Sequence, residues 1–325
     1  MEISAFVVIG MAICYLLYAV VIIFGVPFNL FVLFRMIKLY RQSHESFRNG
    51  TGVCLAVLAI ADLVSLSGIC IHVCILSVDF ALSVMARNAL CKLVIFGMHL
   101  STATSIWSWL MMSVLRWLSV YHPLLHYRLW RVPIRTLFFV LSCSALTNLP
   151  FLLMATSDPA SSGCTLIPIS QNWPTALNRI VLCVEIFWSF CLPTAIIMFM
   201  DFSVFLCRKR LTSDRYPVAA VAIARKSRPR KLWRWLVIAL VDVGLNTPEN
   251  FFRLGIILGI IDPNILGEYY QLARMTAQVL YYSQFAFNGV YLALFVYDKS
   301  SKPNRGSLET KRQKMMSKRS RSTDT

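Results

Sequence analysis

The chain has 325 residues, of which 57% are hydrophobic and 14% charged, with a mean hydropathy of +0.63. Water-soluble domains carry about 25% charged residues and roughly 45–50% apolar ones, so a string of soluble domains is excluded. The formal charge of +17 is gathered between long charge-free runs. It reads as membrane topology and attraction to anionic lipid head groups, not as a nucleic-acid surface.

Seven apolar runs follow one another, over residues 5–37, 50–78, 90–120, 133–156, 177–207, 232–261 and 269–297. Each approaches or exceeds the ~20 residues that cross ~30 Å of hydrocarbon. A spanning segment has no water to bond its backbone, so each run is expected to be a helix. The predicted fold is all-α, a seven-transmembrane helix bundle over residues 1–297. A basic tail, 298–325, is expected to be disordered and cytosolic. No repeat and no pair of inverted halves is visible.

The first run carries no charge between Glu2 and Arg35. It is too long for the core of a cleaved signal peptide and lacks a basic stretch before it, so it reads as a retained first helix. The second run holds Asp62. An ionisable group in mid-membrane costs about 2.5–3.5 kcal/mol or more unless paired or hydrated, so Asp62 is expected to face the bundle interior. The third run, opening at Cys91, has no formal charge between Lys92 and Arg116 and ends in Leu115-Arg116-Trp117-Leu118-Ser119-Val120-Tyr121-His122-Pro123-Leu124. Arg116 falls where such a helix leaves the lipid, and the Pro-Leu pair marks a turn. The sixth run places Asp242, Asn246, Glu249, Asn250 and Arg253 on one helical face. A polar stripe in an apolar helix must look inward. Glu249 and Arg253, four apart, form one candidate internal pair.

Lys and Arg fix the expected orientation. Four lie in and around the first connection, four between the third and fourth runs, ten between the fifth and sixth, and nine after Tyr297. These are 27 of the 32, against five on the opposite side. Positive charge stays in the cytosol, which places the N-terminus outside and the tail inside. The sequon Asn49-Gly50-Thr51 then falls in a cytosolic loop and is expected to stay unglycosylated. Eight of the ten cysteines lie within or at the ends of the apolar runs. The other two, Cys91 and Cys164, face the oxidising side, where a bridge or two free thiols are the alternatives. No zinc-like spacing, nucleotide-binding glycine motif or catalytic constellation is present.

Several motifs together resemble the rhodopsin-like (class A) G-protein-coupled receptors. Arg116, Val120, Pro123 and Leu124 match the Asp-Arg-Tyr…Pro-Leu motif, with Leu115 in place of the acid. Cys91 stands at the family's spacing before Arg116. Asn29-Leu30-Phe31-Val32 matches Asn-x-x-Val, with Phe28 in place of glycine. Leu58-Ala59-Ile60-Ala61-Asp62 matches Leu-Ala-x-Ala-Asp, and Phe190-Cys191-Leu192-Pro193 matches Phe-x-x-Pro. Asn246-Thr247-Pro248 replaces Trp-x-Pro. Asn288-Gly289-Val290-Tyr291 is a degraded Asn-Pro-x-x-Tyr. Asp201 stands where the family has a tyrosine.

The resemblance implies a plasma-membrane receptor that binds an extracellular ligand among its helices and activates a heterotrimeric G protein. Arg116, Val120, Pro123 and Leu124 would make the G-protein contact. It implies a Cys91–Cys164 disulfide. It also implies a polar cluster of Asn29, Asp62, Ser105 and Asn288, readable as a sodium site, a hydrogen-bonded knot or an ion pathway; apart from that ion no cofactor is expected. The implied ligand pocket comprises Met98, His99, Thr102, Glu185, Trp188, Asn246, Glu249, Asn250, Arg253, Arg274, Gln278 and Tyr282. With Met98 where monoamine receptors have an aspartate, and arginines and glutamates at the rim, a short peptide or acid-bearing molecule is the expected ligand. The divergence is similar to that of invertebrate peptide or chemosensory receptors. The alternatives are a small-molecule chemosensory receptor, a non-signalling seven-helix protein, and an ion or solute transporter using Asp62 and Asp242. With no acid at Leu115, measurable ligand-free signalling is expected, raised by Asp201→Ala and lowered by Leu115→Asp.

Overall fold

The computed structural model describes residues 5–42, 44, 47, 52–77, 83–122, 133–157, 164–166, 175–213, 219–261 and 263–295. Asn49, Pro123, Leu124 and the tail 298–325 lie outside them. Seven helical rods run through the described residues. They are α1 (Ala5–Gln42), α2 (Gly52–Ser77), α3 (Val84–Tyr121) and α4 (Pro133–Met154). The rod α5 is Thr175–Ile186, a π turn Phe187–Cys191 and Leu192–Ser213, followed by α6 (Ala219–Ile257) and α7 (Pro263–Phe295). Between α4 and α5 a small antiparallel hairpin pairs β1 (Ala155–Ser157) with β2 (Cys164–Leu166).

Packing closes the rods into a ring: each touches its neighbour in sequence, α1 touches α7, and α3 reaches α2, α4 and α5. In α1 the buried residues Val7, Cys14, Tyr18, Val21, Gly25, Asn29, Val32 and Met36 recur every three, four or seven positions, one stripe of a 3.6-residue helix. Ser83 begins α3 by accepting the Ala86 N–H at 3.3 Å, which satisfies one of the free donors at a helix start. Two glycines bend the chain where other residues are strained: Gly259 (φ 73°) at the end of α6 and Gly267 (φ 54°) inside α7.

The surface is apolar and the interior is partly polar. Phe6, Phe34, Phe138 and Phe251 face outward, while Asn29, Asp62, Glu185, Asp201, Asp242, Asn246, Glu249, Gln284 and Asn288 are buried. Water would favour the reverse; hydrocarbon favours this one. Helices α1 to α5 are each long and apolar enough to cross a membrane, as expected of a multi-pass membrane protein.

Candidate functional site

The polar interior forms three levels along the bundle, capped at one end by the hairpin. Cys91 at the start of α3 is disulfide-bonded to Cys164 of β2, with a Cα–Cα distance of 5.5 Å. The Asn88 carboxamide oxygen accepts the Ser157 N–H at 2.7 Å and the Thr156 hydroxyl at 3.2 Å. One turn of α3 therefore holds the hairpin by a covalent bond on one strand and two hydrogen bonds on the other.

At the opposite end, Arg116 and Asp201 join α3 to α5. The guanidinium Nη2 lies 3.3 Å from Asp201 Oδ2 and 2.8 Å from Ser113 Oγ, while Nε donates to the Met112 carbonyl at 3.2 Å. Ser113 in turn bonds Asp201 Oδ2 at 3.2 Å. Side-chain exposure is 16% for Arg116 and 4% for Asp201, so the pair is largely withdrawn from solvent. Leu115 points elsewhere, into the apolar cluster with Cys54, Leu58, Trp109 and Met112. The expectation that Leu115→Asp restores a restraint on Arg116 is therefore corrected: the carboxylate would enter the core without a partner. Val120 is partly exposed.

The middle level gathers around Asp62. Ser105 donates to Asp62 Oδ1 at 2.8 Å, while Oδ2 is buried without a hydrogen-bond partner. Asn288 adjoins Asp62, and Asp242 lies within electrostatic reach. Trp109 Nε1 donates to Asn288 Oδ1 at 3.2 Å. Asn246 donates to the Asp242 carbonyl at 2.9 Å and to Gln284. Asn29 takes a separate part. Its amide donates to the Gly25 carbonyl at 2.9 Å and to the Phe285 carbonyl at 2.8 Å, so it ties α1 to the α7 backbone. Trp109, Gln284 and Ser113 take part although no motif marks them. Each is three or four residues from a residue singled out, and this i,i+4 spacing was the available signal.

The level nearest the hairpin divides in two. On the α3–α5–α6 side, Glu185 receives Arg253 at 2.5 Å, Ser189 at 2.9 Å and His99 at 3.5 Å. The His99 ring stacks on Phe151 of α4 with centroids 4.0 Å apart. Arg253 thus pairs across helices with Glu185, and the candidate Glu249–Arg253 ion pair is not formed. On the α1–α6–α7 side lie Tyr18, Glu249, Gln278 and Tyr282; the Tyr18 hydroxyl donates to Gln278 at 3.5 Å. Arg274 donates to the Tyr270 hydroxyl at 3.3 Å.

The remaining expected pocket residues make contacts of their own. Trp188 turns toward α3 and α4: its Nε1 donates to Ser144 at 3.3 Å and its ring packs on Trp107 at 4.6 Å. Thr102 bonds the Met98 carbonyl, Asn250 bonds the Asn246 carbonyl, and Met98 packs over Gly68 of α2.

No protein-family model matches the chain. Over 330 residues it is 23% identical to "Probable G-protein coupled receptor AH9.4" of Caenorhabditis elegans, covering 86% of this chain and 89% of that protein. The likeness extends over most of both chains, and it is to a probable receptor, not to an enzyme.

Proposed function

We propose that the chain is a rhodopsin-like G-protein-coupled receptor of the plasma membrane. Seven helices span the bilayer, with the N-terminus and hairpin outside and the basic connections and tail in the cytosol. A ligand, a short peptide in the reading favoured here, enters the outer half and favours one of two pre-existing arrangements of α3, α5 and α6. The inner ends then accept a heterotrimeric G protein at Arg116, Val120, Pro123 and Leu124. The observation that carries this reading is the stack of buried polar groups inside an apolar bundle, from Glu185–Arg253 to Arg116–Asp201. The similarity to a probable receptor supports it. A sodium ion fits the middle level, where Asp62 Oδ2 is buried without a partner and Ser105 supplies a neighbouring oxygen. The same acid, with one oxygen left without a partner, is what a transporter would use.

Guanine-nucleotide exchange in membranes holding the full chain and a panel of G-protein α subunits tests the proposal. Exchange that depends on the receptor and falls with Arg116→Ala supports it. No exchange with any α subunit at verified surface expression refutes coupling and favours the non-signalling or transporter alternatives.

A further inference from the structure

We propose that Glu249 receives a cationic group of the ligand, a protonated amine or a guanidinium, within the tyrosines between α1 and α7. The inference rests on the receptor reading above and narrows its ligand class. Glu249 is 6% exposed and its Oε2 is buried with no hydrogen-bond partner. Gln278 bonds the Glu249 carboxyl, but it is neutral, and a buried carboxylate with one oxygen unpaired and no counter-charge in contact is unfavourable by several kcal/mol, so the site is incomplete as it stands.

The two arginines that act on Glu249 do not complete it. Arg253 is committed to Glu185, and Arg274 is exposed and bonded to the Tyr270 hydroxyl. Both act on Glu249 electrostatically, yet among the described residues neither forms an ion pair with it within 4.0 Å. The rest of the surroundings suit a cation. Tyr18, Tyr281 and Tyr282 all lie within electrostatic reach of Glu249. Their rings cluster, with Tyr18–Tyr282 centroids at 5.8 Å and Tyr281–Tyr282 at 5.4 Å. Aromatic faces beside a carboxylate are the arrangement that holds ammonium and guanidinium groups. An anionic ligand, by contrast, would meet Glu249 first and find Arg253 already neutralised. The acid-bearing molecule expected from the rim arginines is thereby disfavoured, while an amine-bearing peptide is not.

The test uses purified full-length receptor, thermal melting and simple probes at millimolar concentration. Phenylalaninamide and tyramine carry a cation and no carboxylate; N-acetylphenylalanine carries a carboxylate and no cation. The two cations are expected to raise Tm and N-acetylphenylalanine to leave it unchanged. Glu249→Gln abolishes the shift and Glu249→Asp retains part of it. Arg274→Gln tightens cation binding by about threefold to tenfold, because it removes a like charge near the bound group. A merely structural role for Glu249 predicts no such gain. If Glu249→Gln fails to fold, Glu249→Asp and Arg274→Gln decide. Three results overturn the proposal: no cation raises Tm, Glu249→Gln keeps the shift, or N-acetylphenylalanine stabilises in an Arg274-dependent way. If the melting shifts follow the expected pattern but nucleotide exchange never responds, the cation site stands and the receptor reading fails.

Discussion

Removing Asp201 isolates what holds Arg116 at the end of the bundle opposite the hairpin. At 3.3 Å and an effective dielectric of about 20, the pair attracts by about 5 kcal/mol before desolvation. Withdrawing both groups from water offsets much of that, and only the part that differs between resting and signalling arrangements biases signalling. A remainder of ~1–2 kcal/mol changes the ratio of the two states by roughly fivefold to thirtyfold. Asp201→Ala is therefore expected to raise ligand-free nucleotide exchange about fivefold or more where the resting state dominates the parent. Asp201→Asn, which can still accept from Ser113, should give a smaller rise. The assay is basal GTPγS uptake by membranes holding each variant at matched surface level. Leu115→Asp serves as a contrast. Because Leu115 packs among Cys54, Leu58 and Met112, that variant should lose surface expression instead of signalling less. Unchanged or reduced basal uptake in Asp201→Ala, with surface level maintained, would refute the reasoning and leave the pair with no part in the resting state.

Cys91→Ala is expected to lower surface expression severalfold, since it frees the hairpin that Asn88 alone would then hold, and Cys164→Ala should match it. Mass spectrometry of non-reduced peptides checks the bridge directly. Asn49→Gln should produce no endoglycosidase-sensitive mobility change, in keeping with a cytosolic first loop; a shift that the substitution removes would invert the topology. Gly289→Leu should destabilise by about 1–3 kcal/mol, the usual cost of forcing atoms into a packed contact. A Cβ there would sit 3.0 Å from Phe28 Cβ and 3.1 Å from the Asn29 backbone nitrogen. Its melting temperature relative to the parent measures the effect, and Gly289→Ala should show the part due to the Cβ alone.

Residues related by helical spacing along one chain segment were legible in the sequence; relations between helices were less so. The charge-free run to Arg35 announced α1, and the need to shelter Asp62 announced its inward direction. Asp201 was identifiable as a partner for Arg116 because few acids lie near that end of the bundle. The choice of Glu185 over Glu249 for Arg253 was not legible. Spacing shows that Glu249 and Arg253 share a face, but the rotation of α5 against α6 decides which acid the guanidinium meets. The π turn Phe187–Cys191 adds a further displacement. It inserts a residue into the helical repeat, so positions along α5 cannot be extrapolated through it. Trp188 lies within that turn and faces α3 and α4, not the expected pocket. Tyr18 was hidden for another reason: nothing in an apolar first helix marks one tyrosine as the neighbour of an acid on α6.

The departures from the family motifs are matched by changes on neighbouring helices. Leu115 brings no acid to Arg116, and Asp201 brings one from α5. The end of the bundle opposite the hairpin thus retains a buried arginine with a carboxylate, held by Ser113 between them. Phe28 adds bulk to α1 where the motif has glycine, and Gly289 removes it from α7 where the motif has proline. The two meet, with Phe28 Cβ at the position that a Gly289 side chain would crowd. The contact leaves room for Asn29 to reach the Phe285 carbonyl at 2.8 Å, which an added side chain on α7 would obstruct. A buried charge needs its counter-charge and a close helix contact needs its volume, but neither requirement names the helix that must supply it. For that reason motif loss at Leu115 and Gly289 is weak support for a non-signalling protein, and the geometry of Arg116 with Asp201 bears on signalling more directly than the residue at position 115.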